Sequence, residues 1–337
     1  MLLDWITARI PLQHLTPEAR ECVRLLNDRV CCYCPKTGIV RYESSRWESV
    51  RSDSHQIVAR AGSDLWVQGS PARVIGDGDT VFGAGASRSL EITAALQRMI
   101  SFLATQLGVA LPDASHWLVS RVDVTGNLLL GSLADVRIGL SILRGVEGGR
   151  YRVSATEGDT VYWSNASKLR KGKAYAKGPH LHHLLDKKTY TGRRYNEAEL
   201  AFAQRLLRLE LTLGREWFAR NPWQTVTAEM LTNEWNEYFG RMIGGAEIVE
   251  DTDLRTRIVT AAETESRGKA AYGCWLMIQS EGWERAREAF SKTTWYRHLE
   301  IIRKAGLSDA DISAGRVVQL RRRIIEAQLV NSWADVA

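Results

Sequence analysis

Leucines at 207, 209, 211 and 213 alternate with Arg208, Glu210 and Thr212, the period-2 pattern of a strand with one buried face. The same alternation occurs in Ser120–Thr125, where Val122 and Val124 oppose Arg121, Asp123 and Thr125. Each of these strands carries Arg-x-acid on its polar face. Leu2–Ile10 reads as an opening strand closed by Pro11, followed by a helix that Thr16 caps and Pro17 begins. His55–Arg60 and Asp64–Gln68 form a predicted hairpin around Ala61-Gly62-Ser63. Thr160–Ser164 is a further strand. Lys173–Lys177 alternates again, placing Lys173, Tyr175 and Lys177 on one face until Pro179 stops it.

Helical periodicity appears first between Ser89 and Leu107, with Leu90, Ala94, Met99 and Leu103 inward, after a glycine-rich loop from Gly76 to Gly85. It dominates from about Met230 onward. Lys269–Ser280 carries Tyr272, Trp275 and Leu276 on one stripe, Trp283–Phe290 repeats at i, i+3, i+7, and Thr293–Lys304 places Trp295, Leu299 and Ile302 inward before Ala305-Gly306. Three short helices joined by tight turns fit a helix-turn-helix unit. The fold class is α+β: a strand-rich domain over 1–225, then a mostly helical domain over 226–337.

Length and composition are compatible with this division. The chain has 337 residues, 45% hydrophobic and 25% charged, enough for a large packed core. No apolar run is long enough to span a membrane, and Asp4 stands where a signal peptide would be basic; the expected location is the cytoplasm. Five cysteines, four of them at 22, 31, 32 and 34, lack a second ligand pair at zinc spacing and read as reduced thiols.

The net charge of +6 is unevenly placed. Nine Lys or Arg fall between Lys168 and Arg194 against one acid, Asp186. Such a block suits a local polyanion site, or equally a solvated charged face. Tyr175 sits inside it between Lys173 and Lys177. A phenol can attack a phosphodiester and hold the phosphate as a reversible ester, with cations beside it to position the phosphate; a packing role is the ordinary alternative. Asp123 and Glu210, on polar faces of two strands, could share one Mg²⁺ or Mn²⁺, or could instead pair with Arg121 and Arg208. His55 and the run His180–His183 are outside candidates for a third ligand. In the helical part Lys292, Thr293, Arg297 and Lys304 fall away from the apolar stripe, as on a recognition helix.

Taken in order, Arg9-Ile10-Pro11, Gly69–Val74, Val81-Phe82-Gly83, Val119–Asp123, Val161-Tyr162-Trp163, Lys173–Lys177, Leu207–Glu210 and Trp295-Tyr296-Arg297 resemble the II/X replication initiators of filamentous bacteriophages and plasmids. The resemblance runs over nearly the whole chain. It implies an antiparallel-sheet catalytic domain of the rolling-circle nuclease type, with Tyr175 as nucleophile and Lys177 close by. It implies a site-specific nickase that cuts one strand of supercoiled double-stranded phage DNA at an origin, acts on the exposed single strand and rejoins the displaced one. Metal ligation by Asp123 and Glu210 is part of that expectation, with Arg121, Lys168, Arg170, Lys173, Arg208, Lys292 and Arg297 facing DNA. Host helicase and polymerase would follow, and the protein could oligomerise on DNA. The rivals are a non-catalytic origin-binding protein and a nuclease whose nucleophile is water.

Overall fold

The computed structural model describes the chain apart from residues 27–28, 46–47, 52–55, 75–78, 84–89, 145–152, 155–158, 188–189, 191, 244–250, 308, 315–327 and 337. In chain order the strand-rich part comprises β1 (Leu2–Pro11), α1 (Pro17–Arg24), β2 (Arg29–Tyr33), β3 (Val40–Ser45), β4 (Glu48–Arg51), β5 (Gln56–Ala61), β6 (Asp64–Gly69), α2 (Pro71–Val74), α3 (Ile92–Leu107), β7 (Leu118–Leu129), α4 (Leu133–Arg144), β8 (Val153–Ser154), β9 (Thr160–Trp163), β10 (Arg170–Ala176), α5 (Lys177–Leu185), α6 (Glu197–Ala203) and β11 (Leu206–Leu213). Helices α7 (Arg215–Phe218), α8 (Ala228–Ile243), α9 (Asp251–Thr260), α10 (Glu265–Glu281), α11 (Trp283–Glu288), α12 (Lys292–Lys304) and α13 (Asp309–Ala314) follow, and β12 (Gln328–Val330) returns to the sheet.

The main sheet is antiparallel, in the order β4-β5-β6-β1-β7-β11-β10-β9-β8. β12 pairs with the end of β7 beyond the point where β1 stops, so the strands called from alternation are the central ones. One face is apolar. Leu207, Leu209, Leu211 and Leu213 of β11 join Val122 and Val124 of β7 and Ile6, Ala8 and Ile10 of β1 in a single buried cluster. Helix α3 closes part of that face with Ile92, Ala95, Leu96, Met99, Ile100 and Leu103, all buried. Its inward stripe is therefore shifted from the expected one, because Ala94 points to solvent and the helix begins only after Leu90. Gly108, at φ +67, ends it in the left-handed conformation that glycine adopts without a Cβ penalty.

The cap predicted at Thr16 forms, its hydroxyl accepting from the Ala19 amide. The expected hairpin is β5–β6, in the register Ala61↔Leu65 to Ile57↔Gly69. The strand through Tyr175 ends at Ala176, one residue before the expected Lys177. Pro179 does not stop a strand but lies in the first turn of α5, where a missing N–H costs no helical bond.

The sequence division at 225/226 falls just before α8. That helix buries Leu231, Trp235, Phe239 and Met242 against the sheet. A second cluster, built from Leu254 and Ile258 of α9, Cys274, Trp275 and Ile278 of α10, and Trp295, Leu299 and Ile302 of α12, holds the remaining helices together. On α10 the buried stripe runs through Ala271, Cys274, Trp275 and Ile278, and Leu276, expected inward, is exposed.

Candidate functional site

The face of the main sheet opposite the apolar cluster carries its chemistry. On β10 the polar side presents Lys171, Lys173 and Tyr175; on β11, Arg208, Glu210 and Thr212; on β7, Arg121, Asp123, Thr125 and Asn127. Their register is Lys173↔Glu210 and Tyr175↔Arg208 between β10 and β11, and Glu210↔Thr125 and Thr212↔Asp123 between β11 and β7. The strands of Tyr175 and Glu210 are thus neighbours, and so are those of Glu210 and Asp123.

Tyr175 lies on this face with only 3% of its surface exposed. Its hydroxyl donates to Glu210 Oε1 at 2.7 Å, while Lys173 Nζ lies 3.3 Å from Glu210 Oε2 and 4.0 Å from the tyrosine ring centre. Burial, then the Glu210 carboxylate, raises the phenol well above its ordinary pKa, and Arg208 works against that rise. Burial also raises Glu210, opposed by Lys173 and reinforced by Asp4. The phenol is therefore protonated at rest and already hydrogen-bonded to a carboxylate able to take its proton.

Arg208 is buried at 1% exposure. Its guanidinium donates to the carbonyls of Thr80 (3.1 Å) and Val81 (2.8 Å) and lies 3.8 Å from Asp4. Burial disfavours its charge, but Asp4, Tyr175 and Glu210 more than offset that, so it stays cationic. Expected to face DNA, Arg208 is instead buried beside Tyr175, its direct cross-strand neighbour, and ties Thr80 and Val81 to the sheet. Lys177 is equally buried, at the first turn of α5, its Nζ 5.9 Å from the tyrosine ring.

Asp123 is held by Arg121 through two bonds, of 2.9 and 2.6 Å, the in-strand ion pair that the spacing allowed. It sits one register step from Glu210, opposite Thr212. Among the described residues no three His, Cys, Asp or Glu side chains are grouped as a metal site. The donors near Tyr175 are nonetheless carboxylate oxygens, the chemistry that suits Mg²⁺ or Mn²⁺. His55 lies outside the described residues. His180 of α5 lies tilted against Tyr175, with ring centres 5.0 Å apart. Loss of water there, then Lys177 and Lys173, hold its imidazole neutral. His182 and His183 point to solvent.

Arg170 does not join the site. It faces the helix-covered side, pairing with Glu234 at 2.9 Å and Glu237 at 3.7 Å of α8. Lys168 is exposed in the segment before β10, and Lys292 and Arg297 are exposed on α12 beside Tyr296.

Two contributors escaped the sequence reading. Asp4 sits where the β1–β7 register shifts between Leu3 and Trp5, which brings its carboxylate toward Arg208; an acid inside Leu2-Leu3-Asp4-Trp5 was the available signal. The segment 79–83 supplies the two carbonyls to Arg208. It is anchored through Asp79, whose carboxylate accepts from Tyr195 Oη at 2.9 Å and Trp333 Nε1 at 2.9 Å.

Residues 2–235 match the family defined by the N-terminal part of the phage replication-associated protein. The chain belongs to that family. It is 26% identical over 345 residues to the replication-associated protein of Enterobacteria phage I2-2, covering 94% of this chain and 90% of that protein. A rolling circle replication initiator protein from Geobacillus stearothermophilus aligns with 75% of this chain and 89% of its own, at 11% identity and a TM-score of 0.33.

Proposed function

We propose that the protein initiates rolling-circle replication of phage DNA by nicking one strand at an origin, with Tyr175 as the nucleophile. The observation that carries this reading is the hydrogen bond from Tyr175 to Glu210, set on a cationic sheet face in a chain of a replication-associated family. Tyr175 Oη attacks the scissile phosphorus as its proton passes to Glu210. The P–O3′ bond breaks, the leaving oxygen takes a proton from water to become a 3′-hydroxyl, and the 5′-phosphate remains esterified to the tyrosine. Reversal by a 3′-hydroxyl rejoins the strand.

Arg208 offsets charge on the developing phenolate from the neighbouring strand, and Lys173, close to both the tyrosine ring and Glu210, supplies a cation for the phosphate. Asp123 and Glu210, with Asp4 nearby, are the residues that would hold Mg²⁺ or Mn²⁺, which would neutralise charge on the non-bridging phosphate oxygens. Because Tyr175 is buried, access of DNA to its hydroxyl requires a local shift of the segments packed around it.

The division into a nicking domain and a helical one completes the proposal, with Lys292 and Arg297 on α12 contacting duplex at the origin. The free 3′-hydroxyl suits extension by a host polymerase, with a host helicase unwinding ahead, in the bacterial cytoplasm. No described helix is long and apolar enough to cross a membrane. Incubation of a 3′-end-labelled single-stranded origin oligonucleotide with Mg²⁺ tests the chemistry: a label that migrates with denatured protein supports a tyrosyl-DNA ester. Its persistence in Tyr175→Phe would remove Tyr175 from that role.

A further inference from the structure

The polar face continues well beyond Tyr175, across β1, β6 and β5, with residues that the nicking chemistry does not use. Arg9, Trp66 and Arg60 stand in direct register across those three strands. The guanidinium carbons of Arg9 and Arg60 lie 5.4 and 5.2 Å from the Trp66 ring centre. Closer to the tyrosine, Arg121 lies 5.8 Å from the ring of Trp5, whose strand neighbour is Asp123. Thr7 and Gln68, bonded to each other, fill the row between. Beside the tyrosine itself, Lys173 lies 5.9 Å from the Tyr162 ring.

Both tryptophans, Arg9 and Arg60 are partly exposed on this face, and Arg121 is exposed. Trp66 stands four two-residue steps from the Tyr175 row, about 27 Å along the strand direction. Aromatic rings interleaved with guanidinium groups on an open face match single-stranded nucleic acid, whose bases offer π faces and whose phosphates attract the cations. A duplex hides its base faces. We infer that Trp5 and Trp66, with Arg9, Arg60 and Arg121, form a stacking platform for the single DNA strand leading away from the scissile phosphate. The inference rests on the nicking reading for its placement, although its binding test is independent of cleavage.

Fluorescence anisotropy of a labelled 24-nucleotide oligo-dT and of a 24-base-pair duplex tests it, using Trp66→Ala, Trp66→Phe and Arg60→Ala in the full chain. Trp66→Ala should weaken oligo-dT binding about tenfold and leave the duplex nearly unchanged, with Trp66→Phe restoring most of the loss. Arg60→Ala should lower the magnitude of the oligo-dT salt slope by about 0.7. Wild-type oligo-dT affinity in both Trp66→Ala and Arg60→Ala, or an equal loss on the duplex, would overturn the platform. A failure of the nucleophile assignment would appear as cleavage by Tyr175→Phe, and a failure of the platform as unchanged oligo-dT binding by Trp66→Ala, so the two are read separately.

Discussion

Tyr175 donates its hydroxyl proton to Glu210 across adjacent strands, although its direct strand neighbour is Arg208 and that of Glu210 is Lys173. The diagonal arrangement gives the phenol an acceptor and leaves a cation on each side. Glu210→Gln keeps the size of the side chain and removes its basicity. Nicking should fall by about 100-fold or more, with near-UV circular dichroism unchanged. A variant nicking at the wild-type rate would remove Glu210 as the base.

Arg208 is the structural brace of the site. Its loss would orphan the buried carbonyls of Thr80 and Val81 and remove the cation beside the half-buried Asp4. Arg208→Ala should cost about 3–5 kcal/mol in urea unfolding. Arg208→Lys should recover only a part, because one ammonium cannot span both carbonyls as a planar guanidinium does.

The C-terminal return to the sheet anchors the same brace. Trp333 donates to Asp79 and packs edge-on against Phe82, at 5.0 Å between ring centres. Trp333→Phe keeps the ring contact and removes the donor, so it should cost about 1–2 kcal/mol, with Trp333→Ala costing more. Both should slow nicking more than they weaken duplex binding, measured side by side. Equal loss of the two would indicate a general folding defect.

His298, buried in the helical cluster against Phe290, has its pKa lowered from 6.5 by burial first and then by Arg297. The folded state thus binds a proton less readily than the unfolded one. The stability due to neutral His298 is complete above about pH 6.5 and is lost as the pH falls. Thermal melts of wild type should shift downward below that pH, and those of His298→Leu should shift less. Parallel pH profiles would contradict this.

The strands around Tyr175 were legible because each has one apolar face: Leu207, Leu209, Leu211 and Leu213 fix which side Arg208 and Glu210 occupy. Burial separated two readings that spacing left open. Arg121 and Asp123 do pair within their strand, whereas Glu210 is engaged by Lys173 and Tyr175 rather than by a direct bond to Arg208. Arg170 was placed with the site by charge alone, whereas the alternation that puts Lys171 and Lys173 on the polar face sends it to the opposite one, toward Glu234. Asp4 depends on a register shift, and the Thr80–Val81 carbonyls on a long-range contact. Neither leaves a periodic signal in the chain.

Nicking of supercoiled plasmid bearing the cognate origin, with Mg²⁺, tests the central claim most directly when wild type and Tyr175→Phe are compared at equal origin binding. The account predicts nicked and relaxed closed circles from wild type and neither from the variant. Nicking that survives the substitution would contradict it and favour attack by water.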